Sequence, residues 1–214
     1  MSALHAESGV RPSHSASLYN TMQRENWFVT PIWYDHTEFD FGAAARKCLQ
    51  LRETNFPNRV LSNNGGWQSR DINLSEYDEL SIVENILNQK ISEMSMDIDP
   101  NLVLQLGNVW ININEPGNSN AAHLHPVSAF SGTIYISVQE NSGKIVFYND
   151  TTLQKHYPFI CDTSPLFFKQ VFYTPKNGMI VMFPSWVSHE VERNMSNTHR
   201  ISISFNIQHP GYYK

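Results

Sequence analysis

From residue 101 to residue 207 this chain is a succession of short β-patterned runs cut by turn residues, and that rhythm constrains the fold more than any other feature. The runs are 102–114, 122–125, 130–138, 144–148, 170–173, 179–183, 189–192 and 200–207. They are rich in Ile, Val, Phe and Tyr, side chains that suit a pleated, half-buried surface. Glu115-Pro-Gly-Asn, Glu140-Asn-Ser-Gly, Pro175-Lys-Asn-Gly and Asn194-Met-Ser-Asn lie between them, and such residues turn the chain. Many short strands at this spacing predict an antiparallel sandwich or small barrel.

The first half reads differently. The run 27–34 (WFVTPIWY) is aromatic and β-branched but holds Pro31, which confines it to a sheet edge. Residues 40–52 (DFGAAARKCLQLR) are helical in pattern, with Asp40 as N-cap and Phe41, Ala44, Ala45, Cys48 and Leu49 on the apolar stripe. Residues 62–69 (SNNGGWQS) satisfy every criterion for a loop. From 76 to 96, Leu80, Val83, Ile86, Leu87, Ile91 and Met94 recur at helical spacing. The organisation expected is a flexible arm over 1–22 and one domain over 23–214. Helical support at about 40–97 would buttress a barrel at about 101–207.

Composition narrows the function. A hydrophobic content of 41% with five tryptophans supports a packed core. A net charge of −5 gives no general attraction to nucleic acid or an anionic membrane, so neither is an expected partner. No apolar run approaches the ~18 residues of a membrane span. Cys48 and Cys161 form no metal or disulfide pattern, and the N-terminal residues lack an apolar signal segment. A cytoplasmic protein is expected, and its N-terminal edge strand could support a homodimer.

The chemistry concentrates in the strand-rich part. His123 and His125 are two residues apart, and on a strand such positions share a face. His189 could complete a triangle around one ion, although imidazole suits several metals. Arg200 and Ser202 likewise share a face, and a guanidinium with a neighbouring hydroxyl can clamp a carboxylate. Each signal alone is weak: nine histidines make a chance H-x-H unremarkable, and R-x-S is common.

Together these residues resemble the Fe(II)- and 2-oxoglutarate-dependent oxygenases, most nearly a group of largely uncharacterised bacterial and phage members. The similar segments are SNNGGWQS (62–69), WININEPGNSNAAHLHPVSAFSGTIYI (110–136), SGKIVFYND (142–150), GMIVMFPSWVSHEV (178–191) and HRISISFN (199–206). The resemblance implies a mainly β fold, a double-stranded β-helix or jelly-roll core buttressed by two N-terminal helices. It implies Fe(II), 2-oxoglutarate and O2, with the co-substrate converted to succinate and CO2 as a C–H bond is oxidised. His123 takes the place of the first metal histidine and His189 the distal one. Arg200 and Ser202 would hold the distal carboxylate of 2-oxoglutarate, helped by Tyr135, with Asn112 and Asn114 within reach.

The family's usual acidic ligand is replaced here by His125. The expected metal set is therefore His123, His125 and His189, with Asp150 as the alternative carboxylate and a third arrangement leaving His123 outside the ligand set. Phe130, Phe147, Met182 and Phe183 are candidates to shield the centre. Trp67 and Trp186 are candidate substrate contacts, the latter as a wedge at the barrel mouth. Two other readings stand beside this one: a cupin-like three-histidine enzyme without 2-oxoglutarate, and a non-catalytic jelly-roll module. Small-molecule and peptidyl substrates are equally compatible with the sequence.

Overall fold

The computed structural model describes residues 29–149 and 168–211. The expected arm over 1–22, together with Trp27, Asp150 and Cys161, lies outside them. Twelve strands are described: β1 (Trp33–His36), β2 (Asn58–Arg59), β3 (Asn63–Asn64), β4 (Trp67–Ser69), β5 (Gln105–Asn114), β6 (Ser119–His123), β7 (Phe130–Ser137), β8 (Ile145–Tyr148), β9 (Gln170–Tyr173), β10 (Met179–Pro184), β11 (His189–Val191) and β12 (Arg200–Gln208). Two helices precede β5, α1 (Gly42–Glu53) and α2 (Asp78–Ile98), the second entered through a 3-10 turn at Leu74–Glu76. No helix of the described residues is long and apolar enough to cross a membrane.

The strands form two facing sheets, β1-β10-β7-β12-β5-β4-β2 and β3-β6-β11-β8-β9, and every pairing is antiparallel. This is a double-stranded β-helix with two helices behind the larger sheet. The period of two along each strand explains why one sheet serves two purposes. On β12, Ile201, Ile203, Phe205 and Ile207 are buried in the main core. On the intervening positions, Arg200, Ser202, Ser204 and Asn206 line a cavity between the sheets. The same alternation on β5 sends Ile111 and Ile113 to the core and Trp110, Asn112 and Asn114 to the cavity.

The helices cover the apolar face. Leu80, Val83, Leu87, Ile91 and Met94 of α2 and Ala44, Cys48 and Leu51 of α1 are buried against the sheet isoleucines. Asp40 does not occupy the N-cap position of α1, which is Phe41, but its carboxylate accepts from the Gly42 N–H at 2.9 Å and satisfies one of the unpaired amides there. Gly132 lets this layer close, since a Cβ there would lie 2.5 Å from the Phe205 ring.

Three expectations are corrected. Of the described residues of the run at 27–34, strand begins at Trp33; it is an edge strand, and Pro31 stands before it rather than within it. The 62–69 segment is not a plain loop. Asn63–Asn64 pairs with β6 of the smaller sheet and Trp67–Ser69 with β5 of the larger, so the segment bridges the two sheets. Gly65 and Gly66, at φ +72° and +71°, supply the left-handed backbone that this crossing needs. Finally, β6 ends at His123, so His125 lies beyond the strand rather than on it.

Candidate metal centre and co-substrate pocket

His123 and His189 are cross-strand partners in the register of β6 with β11, and directly opposed residues bring their side chains together. Their ring centroids are 4.3 Å apart. His125 reaches the same point by another route: its N–H donates to the Ser185 carbonyl at 2.9 Å, which holds the segment after β6 against the turn before β11. The His125 and His189 rings are nearly parallel, at 9°, and their Nε2 atoms are 3.3 Å apart. One nitrogen from each of the three histidines lies within 4.8 Å of the others.

The second nitrogens are also accounted for. Nδ1 of His123 is 2.8 Å from the Ala121 carbonyl, and Nδ1 of His189 is 3.0 Å from the Val187 carbonyl. A carbonyl can only accept, so each Nδ1 carries the proton and each Nε2 keeps its lone pair. Such backbone bonds are the usual means of orienting metal-binding imidazoles. Burial holds all three rings neutral. It lowers the His123 pKa, with the Ala121 bond opposing, and takes His125 to about 4, with a further push from His123 and an opposing side-chain bond to Asn206. His189 falls to about 3 through burial and His123, against the Val187 bond. Three converging neutral imidazoles fit a divalent metal, because each offers a lone pair without first losing a proton.

Aromatic rings wall the cluster. Phe183 and Phe147 lie 4.5 Å and 5.9 Å from the His189 ring, and Trp110 stacks on His125 at 5.6 Å. Phe130 and Met182 do not take the shielding place considered for them; alternation turns both toward the helix-side core.

The cavity beside the cluster measures about 530 Å³, a size typical of small-molecule sites. Arg200 is 1% exposed at one end of it. Its Nη1 donates to the carbonyls of Ser142 and Glu192, the latter at 3.0 Å. Its Nη2 has no partner, and no carboxylate forms an ion pair with it among the described residues. The Tyr135 hydroxyl, 1% exposed, has no partner either. Burial pushes it up to about 12, against the pull of Arg200, so it stays a donor. Ser202 is in register with both Tyr135 and Asn112, and Arg200 with Asn114, which puts all five expected residues on the cavity wall. The two asparagines are partly committed, Asn112 Nδ2 to Ser204 at 3.0 Å and Asn114 Nδ2 to Asn120 at 3.2 Å.

Neither tryptophan singled out as a substrate contact lines this cavity. Trp67 packs against the main core while its neighbour Gln68 faces the cavity, and Trp186 is 62% exposed on the turn before β11. Arg59, Gln68, Trp110 and Asn206 do line it and were not singled out in the sequence. Trp110 and Asn206 continue the parity of Asn112 and Ser202, a signal available in the pattern. Arg59 and Gln68 sit on strands of two and three residues, too short for any periodicity.

Residues 108–206 match the family model described as "Putative 2OG-Fe(II) oxygenase". Oxygenases of this type use Fe(II), 2-oxoglutarate and O2. No curated protein matches the sequence. Among solved structures, a prolyl-4-hydroxylase from Pseudomonas putida is similar at 15% identity, covering 84% of this chain and 93% of its own, with a TM-score of 0.60. A Trichoplax adhaerens prolyl hydroxylase, solved with a hypoxia inducible factor peptide, gives 12%, 85%, 84% and 0.63. HygX from Streptomyces hygroscopicus, solved with nickel and 2-oxoglutarate, gives 10%, 85%, 84% and 0.55. At these identities the likeness is one of fold.

Proposed function

We propose that this chain is an Fe(II)- and 2-oxoglutarate-dependent oxygenase, and so an oxidoreductase, that consumes 2-oxoglutarate and whose iron is held by His123, His125 and His189. The observation that carries the reading is Arg200. Burying a guanidinium without a counter-ion costs several kcal/mol, yet Arg200 is 1% exposed and forms no ion pair among the described residues. Arg200 Nη2 and the Tyr135 hydroxyl are unpaired donors on neighbouring strands lining one cavity. A carboxylate between them would supply both the missing charge and two acceptors. The distal carboxylate of 2-oxoglutarate is such a group.

In this assignment Arg200 and Tyr135 bind the co-substrate by its far end, and Ser202 adds a hydroxyl beside them. That orientation directs the 2-oxo acid end toward the histidines across the cavity. Iron, when bound, supplies the activation of O2 that is coupled to decarboxylation of the co-substrate and oxidation of a C–H bond. His123, His125 and His189 would hold the metal through their converging nitrogens. Phe147, Phe183 and Trp110 exclude water from the reacting volume.

His125 favours a second reading, in which the three-histidine centre works without 2-oxoglutarate, since the donor set lacks the acid usual in the family. The experiment that separates them measures 2-oxoglutarate binding and its conversion to succinate with added Fe(II). Wild-type protein should bind and turn over the co-substrate, and Arg200→Met should weaken its binding about 100-fold while metal binding stays. Metal binding without any affinity for 2-oxoglutarate would favour the second reading instead.

A further inference from the structure

Opposite the Arg200 end, the same cavity holds a second set of unpaired polar atoms that the co-substrate reading leaves unused. Gln68 on β4 is 3% exposed, lines the cavity, and its Oε1 has no partner. Arg59 on β2, its direct cross-strand neighbour, also lines the cavity, and its Nε is buried without a partner. The Arg59 guanidinium lies 5.5 Å from the Trp110 ring centroid, and that ring stacks in turn on His125. One indole therefore separates Arg59 from the metal cluster. The register runs Arg59, Gln68, Asn112, Ser202, Tyr135 across five adjacent strands. With strands about 4.8 Å apart, the Arg59–Gln68 end is well clear of a ligand held at Tyr135 and Arg200.

The chemistry of this end is specific. No Asp or Glu is among the described residues lining the cavity, and its only formal charges are Arg59 and Arg200. A cation by itself would find no counter-ion, whereas an anion would, so an ammonium group could enter only beside its own carboxylate. Asp71 takes one Nη2 hydrogen of Arg59 at 2.9 Å from outside the cavity, which fixes the guanidinium and leaves Nε–H free. A donor at Arg59 beside an acceptor at Gln68 calls for an acceptor and a donor on adjacent ligand atoms. We propose that Arg59 and Gln68 form the substrate subsite, and that the substrate is an α-amino carboxylate, its carboxylate on Arg59 Nε and its amino or amido N–H on Gln68 Oε1. A free amino acid and an acylated one, such as a peptide C-terminus, share this chemistry.

The inference rests on the dioxygenase reading, and calorimetry on the full-length protein tests the two apart. Anaerobic protein loaded with Fe(II) is titrated first with 2-oxoglutarate, then with pools of the twenty standard amino acids, their N-acetyl derivatives and their C-terminal amides. At least one carboxylate-bearing pool should bind, and the matching amide should bind more than tenfold more weakly. Arg59→Gln and Gln68→Met should each weaken that binding about tenfold or more, leaving 2-oxoglutarate affinity within about twofold and the melting midpoint within a few degrees. The free and N-acetyl pools distinguish the two sources of the group.

If the protein binds 2-oxoglutarate but no carboxylate pool, or binds amides equally well and ignores Arg59→Gln, the subsite is wrong. Failure to bind 2-oxoglutarate would instead overturn the parent reading. The pools, repeated on protein carrying Fe(II) alone, would then still judge Arg59 and Gln68.

Discussion

At Tyr135 a hydroxyl is buried at 1% exposure with nothing to donate to. Leaving such a group unsatisfied costs about 1–3 kcal/mol, and a carboxylate held by Arg200 would satisfy it. Tyr135→Phe is therefore expected to leave the melting midpoint unchanged or raise it. The same change should weaken 2-oxoglutarate binding by roughly tenfold, as one lost hydrogen bond implies. Calorimetry and a thermal melt on the same sample check both. A drop in stability with unchanged affinity would mean that the hydroxyl has an internal partner. Cys48, 0% exposed within α1, makes a different residue-scale case. Burial pushes its thiol from an ordinary 9.0 up to about 12. The folded state thus holds its proton where the unfolded chain has lost it, so the associated stability is full below pH 9 and declines as pH rises toward 12. Peptide-resolved alkylation at pH 8 should find Cys48 unreactive until denaturant is added.

At the scale of elements, α2 and the apolar face of the larger sheet stand or fall together. Leu87, 0% exposed, belongs to the cluster that includes Ile111, Ile134 and Ile203. Leu87→Ala should cost about 2–5 kcal/mol through lost burial and a residual cavity, read from denaturant unfolding. The three histidines proposed to hold the metal lie on the other side of this sheet, so metal stoichiometry of the folded fraction should not change. The β3–β4 segment has its own vulnerability at Gly66, where a Cβ would lie 2.9 Å from the Ile113 carbonyl on a φ of +71°. Gly66→Ala should displace Gln68 more than it unsettles the core, because only the crossing between the sheets depends on that backbone.

For the whole molecule, the two sheets face each other across the cavity that His123, His125 and His189 line and across a second apolar cluster of Tyr135, Ile145, Phe147, Val181 and Phe183. A ligand that binds only the folded state stabilises it by mass action, about 2.7 kcal/mol at one hundred times its dissociation constant. Fe(II) or a redox-inert divalent substitute should raise the melting midpoint, and a chelator should reverse the shift. His189→Ala should abolish the shift, since it removes one of three converging nitrogens. A metal-induced shift that survives His189→Ala would place the ion elsewhere.

Much of this was legible along the chain, for a physical reason. Periodicity of two predicts which face of β5, β7 and β12 is apolar, since side chains alternate whatever the strands later pair with, whereas β10 is apolar on both faces and its pattern does not say which way Met182 turns. The helix at 78–98, the long strands and the shared face of Arg200 and Ser202 follow from local pattern alone. His123 and His125 stand out as a local H-x-H spacing, although His125 lies past the end of β6, and His189 is singled out by the resemblance rather than by periodicity. Pairing was not legible. That His123 faces His189, that Asn63–Asn64 and Trp67–Ser69 join opposite sheets, and that Arg59 and Gln68 reach the cavity are decided by register between distant segments. Strands of two or three residues carry too few side chains to show a period. Sequence by itself determined the faces and the chemistry available on them; only the tertiary pairing decided which of those groups meet, because hydrogen-bonded register is set by the partner strand and not by the strand itself.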